Sequence, residues 1–196
     1  MKHARLALFS LMLSGEVFAE GKTSPGQSET RPVRFSDSNP SETRFGKLEF
    51  LGGLEWRANR ADFGGFSGML LDDDNTITAL TDKGHWARAR LIFNAQGALA
   101  AIEGLEVWRL YSSSGKFLRR PFTDSEAITR DGDDLLISFE GGFGGGRVSR
   151  FAGLWGHEQP LNGVPDLTGL GSNKGLESLL KLPAVSYTHL TLPTKA

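Results

Sequence analysis

Apolar residues in this chain come in short bursts rather than in helical stripes. The runs Leu48–Trp56, Gly68–Leu71, Thr76–Thr81, Trp86–Phe93, Gly104–Leu110, Glu126–Thr129, Leu135–Phe139, Val148–Phe151 and Leu176–Leu180 are each bounded by Gly, Asp, Asn or Pro. Short strands with this turn punctuation predict an all-β protein. No segment sustains a helical period beyond about three turns. Ahead of these runs, residues 20–42 are rich in Ser, Thr, Pro, Gly and charge. Such a stretch buries too little apolar surface to offset the entropy of ordering, so a flexible leader is expected, with Val33-Arg34-Phe35 able to pair onto an edge strand.

The two ends read differently from the middle. Lys2, His3 and Arg5 precede the apolar run Leu6–Leu13, and Val17-Phe18-Ala19 offers a small-residue cleavage site. Residues 1–19 are therefore expected to be a secretory signal peptide. The apolar run is far shorter than the roughly 20 residues a membrane span needs, so no span is expected after signal cleavage. At the other end, Val185-Ser186-Tyr187-Thr188-His189-Leu190-Thr191-Leu192-Pro193-Thr194 resembles the in-frame translation of a transposase adapter used in sequencing libraries. Residues 185–196 are expected to be an artefact of that origin, with the natural coding sequence continuing beyond Ala184. The domain proper is then expected over residues 43–184.

A repeat organises that domain. Residues 67–82, from Ser67 to Asp82, align with residues 125–140, from Ser125 to Glu140, without a gap, and Gly175-Leu176-Glu177-Ser178-Leu179-Leu180 begins a third copy in which Glu177 matches Glu126. Each full copy is a strand, an Asp/Asn/Gly turn and a second strand ending on an acid. The copies start 58 and then 51 residues apart, near the roughly 40–50-residue period of propeller blades. The expected fold is a partial β-propeller of about two and a half to three blades.

In an antiparallel hairpin the start of the first strand lies beside the end of the second, so Ser67 neighbours Asp82 and Glu126 neighbours Glu140. With the first strand of each blade innermost, Asp82, Asp124, Glu126, Glu140 and Glu177 collect at one mouth of a central channel. Converging carboxylates repel unless a cation sits among them or some stay protonated. Calcium, which takes six to eight oxygens in flexible geometry, suits such a site, and another divalent cation fits the same logic. Asp124, Glu126, Glu140 and Glu177 are the expected metal ligands; Asp82, Glu126 and Glu140 are the expected catalytic acids. Lys83, Arg147 and Lys174 lie beside these acids in sequence and are the expected substrate-binding cations, with Arg119-Arg120 as further candidates. The alternative is that each acid caps a strand end at a solvated rim.

Composition removes several other chemistries. Setting aside the two ends, residues 20–184 carry a net charge of −3. No basic patch calls for nucleic acid. There is no cysteine, hence no disulfide framework or thiolate metal site. Gly65-Phe66-Ser67-Gly68-Met69 falls short of the Gly-x-Ser-x-Gly nucleophile elbow, and no His-Glu-x-x-His zinc helix is present. Asp72-Asp73-Asp74-Asn75 fails the EF-hand spacing and reads as a hairpin turn. The glycine run Gly141–Gly146 reads either as an anion nest with Arg147 or as a crossing between strands. Trp56, Trp86, Trp108 and Trp155 are expected to pack between blades.

Six motifs taken together carry a resemblance. Phe50-Leu51-Gly52-Gly53-Leu54, Phe63-Gly64-Gly65-Phe66-Ser67-Gly68, Leu80-Thr81-Asp82-Lys83-Gly84, Asp124-Ser125-Glu126-Ala127, Ile137-Ser138-Phe139-Glu140 and Asn173-Lys174-Gly175-Leu176-Glu177 resemble, in this order, the phytase-like family, also called the esterase-like activity of phytase family. The resemblance implies a β-propeller-like fold longer than this chain and export to the periplasm or beyond in a Gram-negative bacterium. It also implies hydrolysis of a small-molecule phosphoester or ester; a monomer is expected. It does not extend to the acidic metal-cluster motif of the alkaline β-propeller phytases, so phytate itself is not implied. The competing expectation is a non-catalytic propeller, stabilised by calcium, that binds a ligand or partner.

Overall fold

Alternating and fully apolar runs separated by Asp, Asn and Gly fold here into antiparallel hairpins. The computed structural model describes residues 22–23, 28–141, 145–164, 167 and 176–182. Among them the regular elements are all strands: β1 (Lys22–Thr23), β2 (Ser28–Pro32), β3 (Arg44–Phe45), β4 (Leu48–Glu49), β5 (Leu54–Ala58), β6 (Phe66–Leu71), β7 (Thr76–Thr81), β8 (His85–Phe93), β9 (Leu99–Arg109), β10 (Ser125–Asp131), β11 (Asp134–Phe139), β12 (Arg147–Phe151) and β13 (Glu158–Pro160). The described residues are all-β, as the pattern predicts. No helix among the described residues is long and apolar enough to cross a membrane.

Two sheets carry the repeat. The first has the order β1-β9-β8-β7-β6 and the second β10-β11-β12-β13, every pair antiparallel, with β2-β5 and β3-β4 as two small additions. Each of the two sheets is a meander like a propeller blade, and no closed barrel forms among the described residues. β7 coincides with its expected run. β9 begins five residues earlier than expected, because Leu99-Ala100-Ala101-Ile102 continues the pairing with β8 past a bulge.

Pairing of the leader also falls elsewhere than expected. Ser28–Pro32, rather than Val33-Arg34-Phe35, pairs with β5, and only Val33 N extends the contact, donating to Gly53 O at 3.0 Å. The polar side chains of β2 gave no hydrophobic signal, since the pairing is made by backbone groups that every residue type carries. Asp72–Asn75 is a hairpin turn, with Asn75 at φ 63° and Asp74 Oδ1 accepting from Thr76 N at 2.9 Å. The glycine run lies in sequence between the paired strands β11 and β12, and its residues 142–144 lie outside the described residues.

Strand pairing corrects the repeat by one residue. In β6–β7, Phe66 faces Thr81 and Gly68 faces Leu80; in β10–β11, Ser125 faces Phe139 and Ala127 faces Ser138. Ser67 and Glu126 are thus the extra residues of matching β-bulges, and Phe66 rather than Ser67 corresponds to Ser125. Leu71 pairs with Ile77 across five intervening residues, but Arg130 pairs with Leu135 across four. A gap-free alignment cannot see this shorter turn.

The two blades share one core. Leu80, Trp86, Trp108 and Leu110 of the first meet Ile128, Leu135, Ile137, Phe139 and Phe151 of the second. Trp86 is fully buried and packs edge-on against Phe151 at 6.3 Å. Trp108 stacks on Trp155 at 4.6 Å, while Trp56 belongs to a second cluster with Phe63, Ala79 and Val107. Gly68 permits the approach of the two first strands, because a Cβ there would lie 3.0 Å from Ile128 Cγ2 and 3.1 Å from Ile128 N.

The third copy stands to the second as the second stands to the first. Ser125 Oγ donates to Thr81 O at 2.7 Å, and Ser138 Oγ donates to Leu176 O at 2.9 Å. Arg130 reaches back to Asp72 at 2.5 Å, and Lys181, its counterpart 51 residues on, reaches back to Asp131 at 3.0 Å. Exposed pairs of this kind contribute under about 1 kcal/mol each. Their value here is positional, since they register successive copies.

Candidate metal and catalytic site

The acidic site forms at the open end of the second blade's first hairpin, opposite its turn. Asp124 precedes β10, Glu126 occupies its bulge and Glu140 follows β11, and the backbone holds the ends together through Glu140 N donating to Asp124 O at 2.7 Å. A bulge turns a side chain off the regular alternation of its strand. Glu126 accordingly joins its neighbours: carboxylate oxygens of Asp124, Glu126 and Glu140 lie within 4.8 Å of one another. Glu140 is buried and Glu126 half-buried.

The fields of the expected acids overlap. Glu126 is pushed up to about 7, first by desolvation and then by the charges of Asp124, Glu177, Glu140 and Asp82. Asp124 is raised as well, by burial and then by Glu140 and Asp82, with Arg120 opposing. All five expected acids therefore act on one locus. Glu177 is exposed and lies outside the close triad.

Asp82 borders the same locus from the first blade. With Arg120, Thr123, Asp124 and Gly141 it lines a cavity of about 180 Å3, and its Oδ1 is cut off from solvent without a hydrogen-bond partner among the described residues. Gly65, at φ 64°, makes room for it: Asp82 N donates to Gly65 O at 2.8 Å, and a Cβ on Gly65 would collide with the carboxylate. Hard oxygens at this locus, one of them without a partner, suit a metal ion.

The expected substrate cations fall less neatly. Lys83 is exposed and donates to Ala61 O at 3.2 Å. Arg147 is held by Glu158 at 2.7 Å, donates to Phe122 O at 2.9 Å and stacks over Phe139 at 3.9 Å. Lys174 lies outside the described residues. Arg120, only a secondary candidate in the sequence, is the cation whose charge acts on Asp124. His85 is half-buried, with both ring nitrogens lacking partners among the described residues. Burial lowers its pKa, with Asp62 opposing, in keeping with a packed group.

Against this geometry the comparison with known families is decisive. Residues 61–194 match the phytase-like family model, described as esterase-like activity of phytase. The chain belongs to the phytase-like family. The matched range takes in both blades, the acidic site and the opening of the third copy. It also runs through residue 194, into the segment expected to be adapter-derived, which lies outside the described residues. No curated protein and no solved structure matches the chain.

A pH prediction follows from this phytase-like site. Glu126 holds a proton more tightly folded than at its ordinary value of 4.5, so the folded state binds more protons than the unfolded state between these limits. In chelator, the stability supplied by this proton is fully present below pH 4.5 and is lost as pH rises through about 7. Thermal melts should show that decline between pH 4.5 and about 7, and saturating calcium should restore the lost stability at and above pH 7 by replacing the proton with a cation.

Proposed function

We propose that this phytase-like chain is an exported hydrolase that cleaves a small-molecule phosphoester or ester with the help of a divalent cation, calcium being the best fit. The observation that supports this most is the convergence of the Asp124, Glu126 and Glu140 oxygens within 4.8 Å. These three residues hold the cation in this reading, with Glu177 adding negative charge from the third copy. A bound divalent cation supplies polarisation of a phosphoryl or carbonyl oxygen and acidification of water. Asp82 lines the same cavity and, in this reading, takes the proton of the attacking water. Arg120, which lines the cavity, offsets the substrate's negative charge. Export follows from the basic and apolar character of residues 1–19.

The second reading, a calcium-stabilised binding module, is favoured by one feature: Glu177 opens the third copy at the Glu126 position, so a cation there also ties copies together. Assay of the full chain against phosphoesters and carboxyl esters separates the two. The hydrolase reading expects turnover that chelator abolishes and calcium restores. Absence of turnover on every ester, with a melting temperature that still falls in chelator, rejects catalysis and leaves the binding module.

A further inference from the structure

Beside the acidic cavity lies a second and larger concavity that the proposed chemistry does not use. It measures about 1040 Å3 and shares Arg120 with the smaller cavity. Its lining includes the aromatic rings of Tyr111, Phe117 and Phe122 and the cationic side chains of Lys116, Arg119 and Arg120. The groove is built by three tight backbone returns: Ser112 N to Lys116 O at 2.7 Å, Leu118 N to Leu110 O at 2.9 Å and Phe122 N to Arg119 O at 2.9 Å. Tyr111 and Phe117 lie 5.1 Å apart.

The charges in this groove are unbalanced. Glu158 is its one lining acid, and that carboxylate is already held by Arg147 at 2.7 Å and by Ser149 Oγ at 2.8 Å. Lys116 and Arg119 make no ion pair among the described residues. An anion fits this surplus, and guanidinium groups match phosphoryl and carboxylate oxygens in geometry as well as charge. The volume far exceeds what a bare phosphate needs and lies in the range of pockets that enclose an organic ligand. The aromatic wall supplies apolar area for the rest of such a ligand.

We infer that this groove is the subsite for the organic body of the substrate, and that the substrate is an anionic phosphoester with a planar or apolar body rather than a compact polyphosphorylated polyol. Arg120 stands at the junction, where the phosphoryl group meets the acidic cavity, and Lys116 and Arg119 hold the anion's outer oxygens. The assignment rests on the proposed hydrolase reading for its reacting end alone.

Calorimetric titration of the full chain with phenylphosphonate, methylphosphonate and calcium, each separately, tests it. Phenylphosphonate should bind at least about tenfold more tightly than methylphosphonate, a difference of about 1.4 kcal/mol. The Lys116→Ala/Arg119→Ala variant, altered at surface cations, should lose about tenfold or more of that affinity while its melting temperature and calcium titration stay unchanged. Equal binding of the two phosphonates overturns the inference, as does wild-type phenylphosphonate affinity in the double variant. Phenylphosphonate binding as expected in a chain that takes up no calcium would support the groove and reject the metal-assisted reading.

Discussion

Glu126→Gln should abolish calcium-dependent turnover and at the same time raise the melting temperature of the metal-free protein at pH 8. Both effects come from one carboxylate. In its proposed role as a ligand, Glu126 supplies an oxygen to the triad within 4.8 Å. Loss of groups that merely orient ligands costs about 10–100-fold, so loss of this ligand should cost about 100-fold or more in metal-dependent rate. In the absence of metal the same carboxylate is a liability, since desolvation and four neighbouring acids push its pKa to about 7. At pH 8 it is forced to ionise among like charges, and glutamine, which mimics the protonated form, relieves that. The rise should disappear near pH 5, where the wild-type carboxyl is already protonated. Rate assays with added calcium and melts in chelator at both pH values check the two halves. A variant that is less stable than wild type at pH 8 in chelator would show that the carboxylate serves as a structural hydrogen-bond acceptor instead.

The largest stability effect is expected at Trp86→Ala. Trp86 is fully buried in the core shared by the two blades, against Phe151 at 6.3 Å. Truncating a buried tryptophan removes its transfer free energy and leaves a cavity, at a cost of about 3–5 kcal/mol. Comparable total stability is typical of a whole small domain, so the variant should be largely unfolded or strongly shifted in denaturant midpoint. Trp155→Ala is the matched control: Trp155 stacks on Trp108 but is 46% exposed, and its loss should be under about 1.5 kcal/mol. Guanidinium melts of the two variants give the comparison. Similar small shifts for both would mean that the blades do not depend on this common core.

Much of this was legible in the residues, for identifiable reasons. Thr76–Thr81 and Leu135–Phe139 are β-branched or apolar runs closed by acids, and they fold where the pattern puts them. Asp82 and Glu140 hold corresponding positions at the ends of β7 and β11, so their place at the open ends of the hairpins could be read from spacing. The bulge at Glu126 could not, because a bulge is a property of pairing between two strands and leaves no composition of its own. The pairing of Ser28–Pro32 with β5 was hidden for the same reason. Lys83 stands closer in sequence to the acids than Arg120 does. A loop outside the repeat brings Arg120 to Asp124, and nothing in the strand period encodes that. Arg147 was a reasonable candidate from its place after the glycine run, yet Glu158, contributed by β13, claims it.

Calcium titration of the metal-free chain by calorimetry at pH 7, repeated in two buffers of different ionisation enthalpy, is the most direct test of the acidic site. The site described here requires saturable binding of one ion with a Kd of about 10−4 M or tighter. It also requires release of a proton, because Glu126 is partly protonated near its pKa of about 7 and must give that proton up to the cation. The apparent enthalpy should therefore differ between the buffers, and Glu126→Gln should bind no calcium. Heats indistinguishable from dilution, or calcium binding that survives in the variant, would contradict the account.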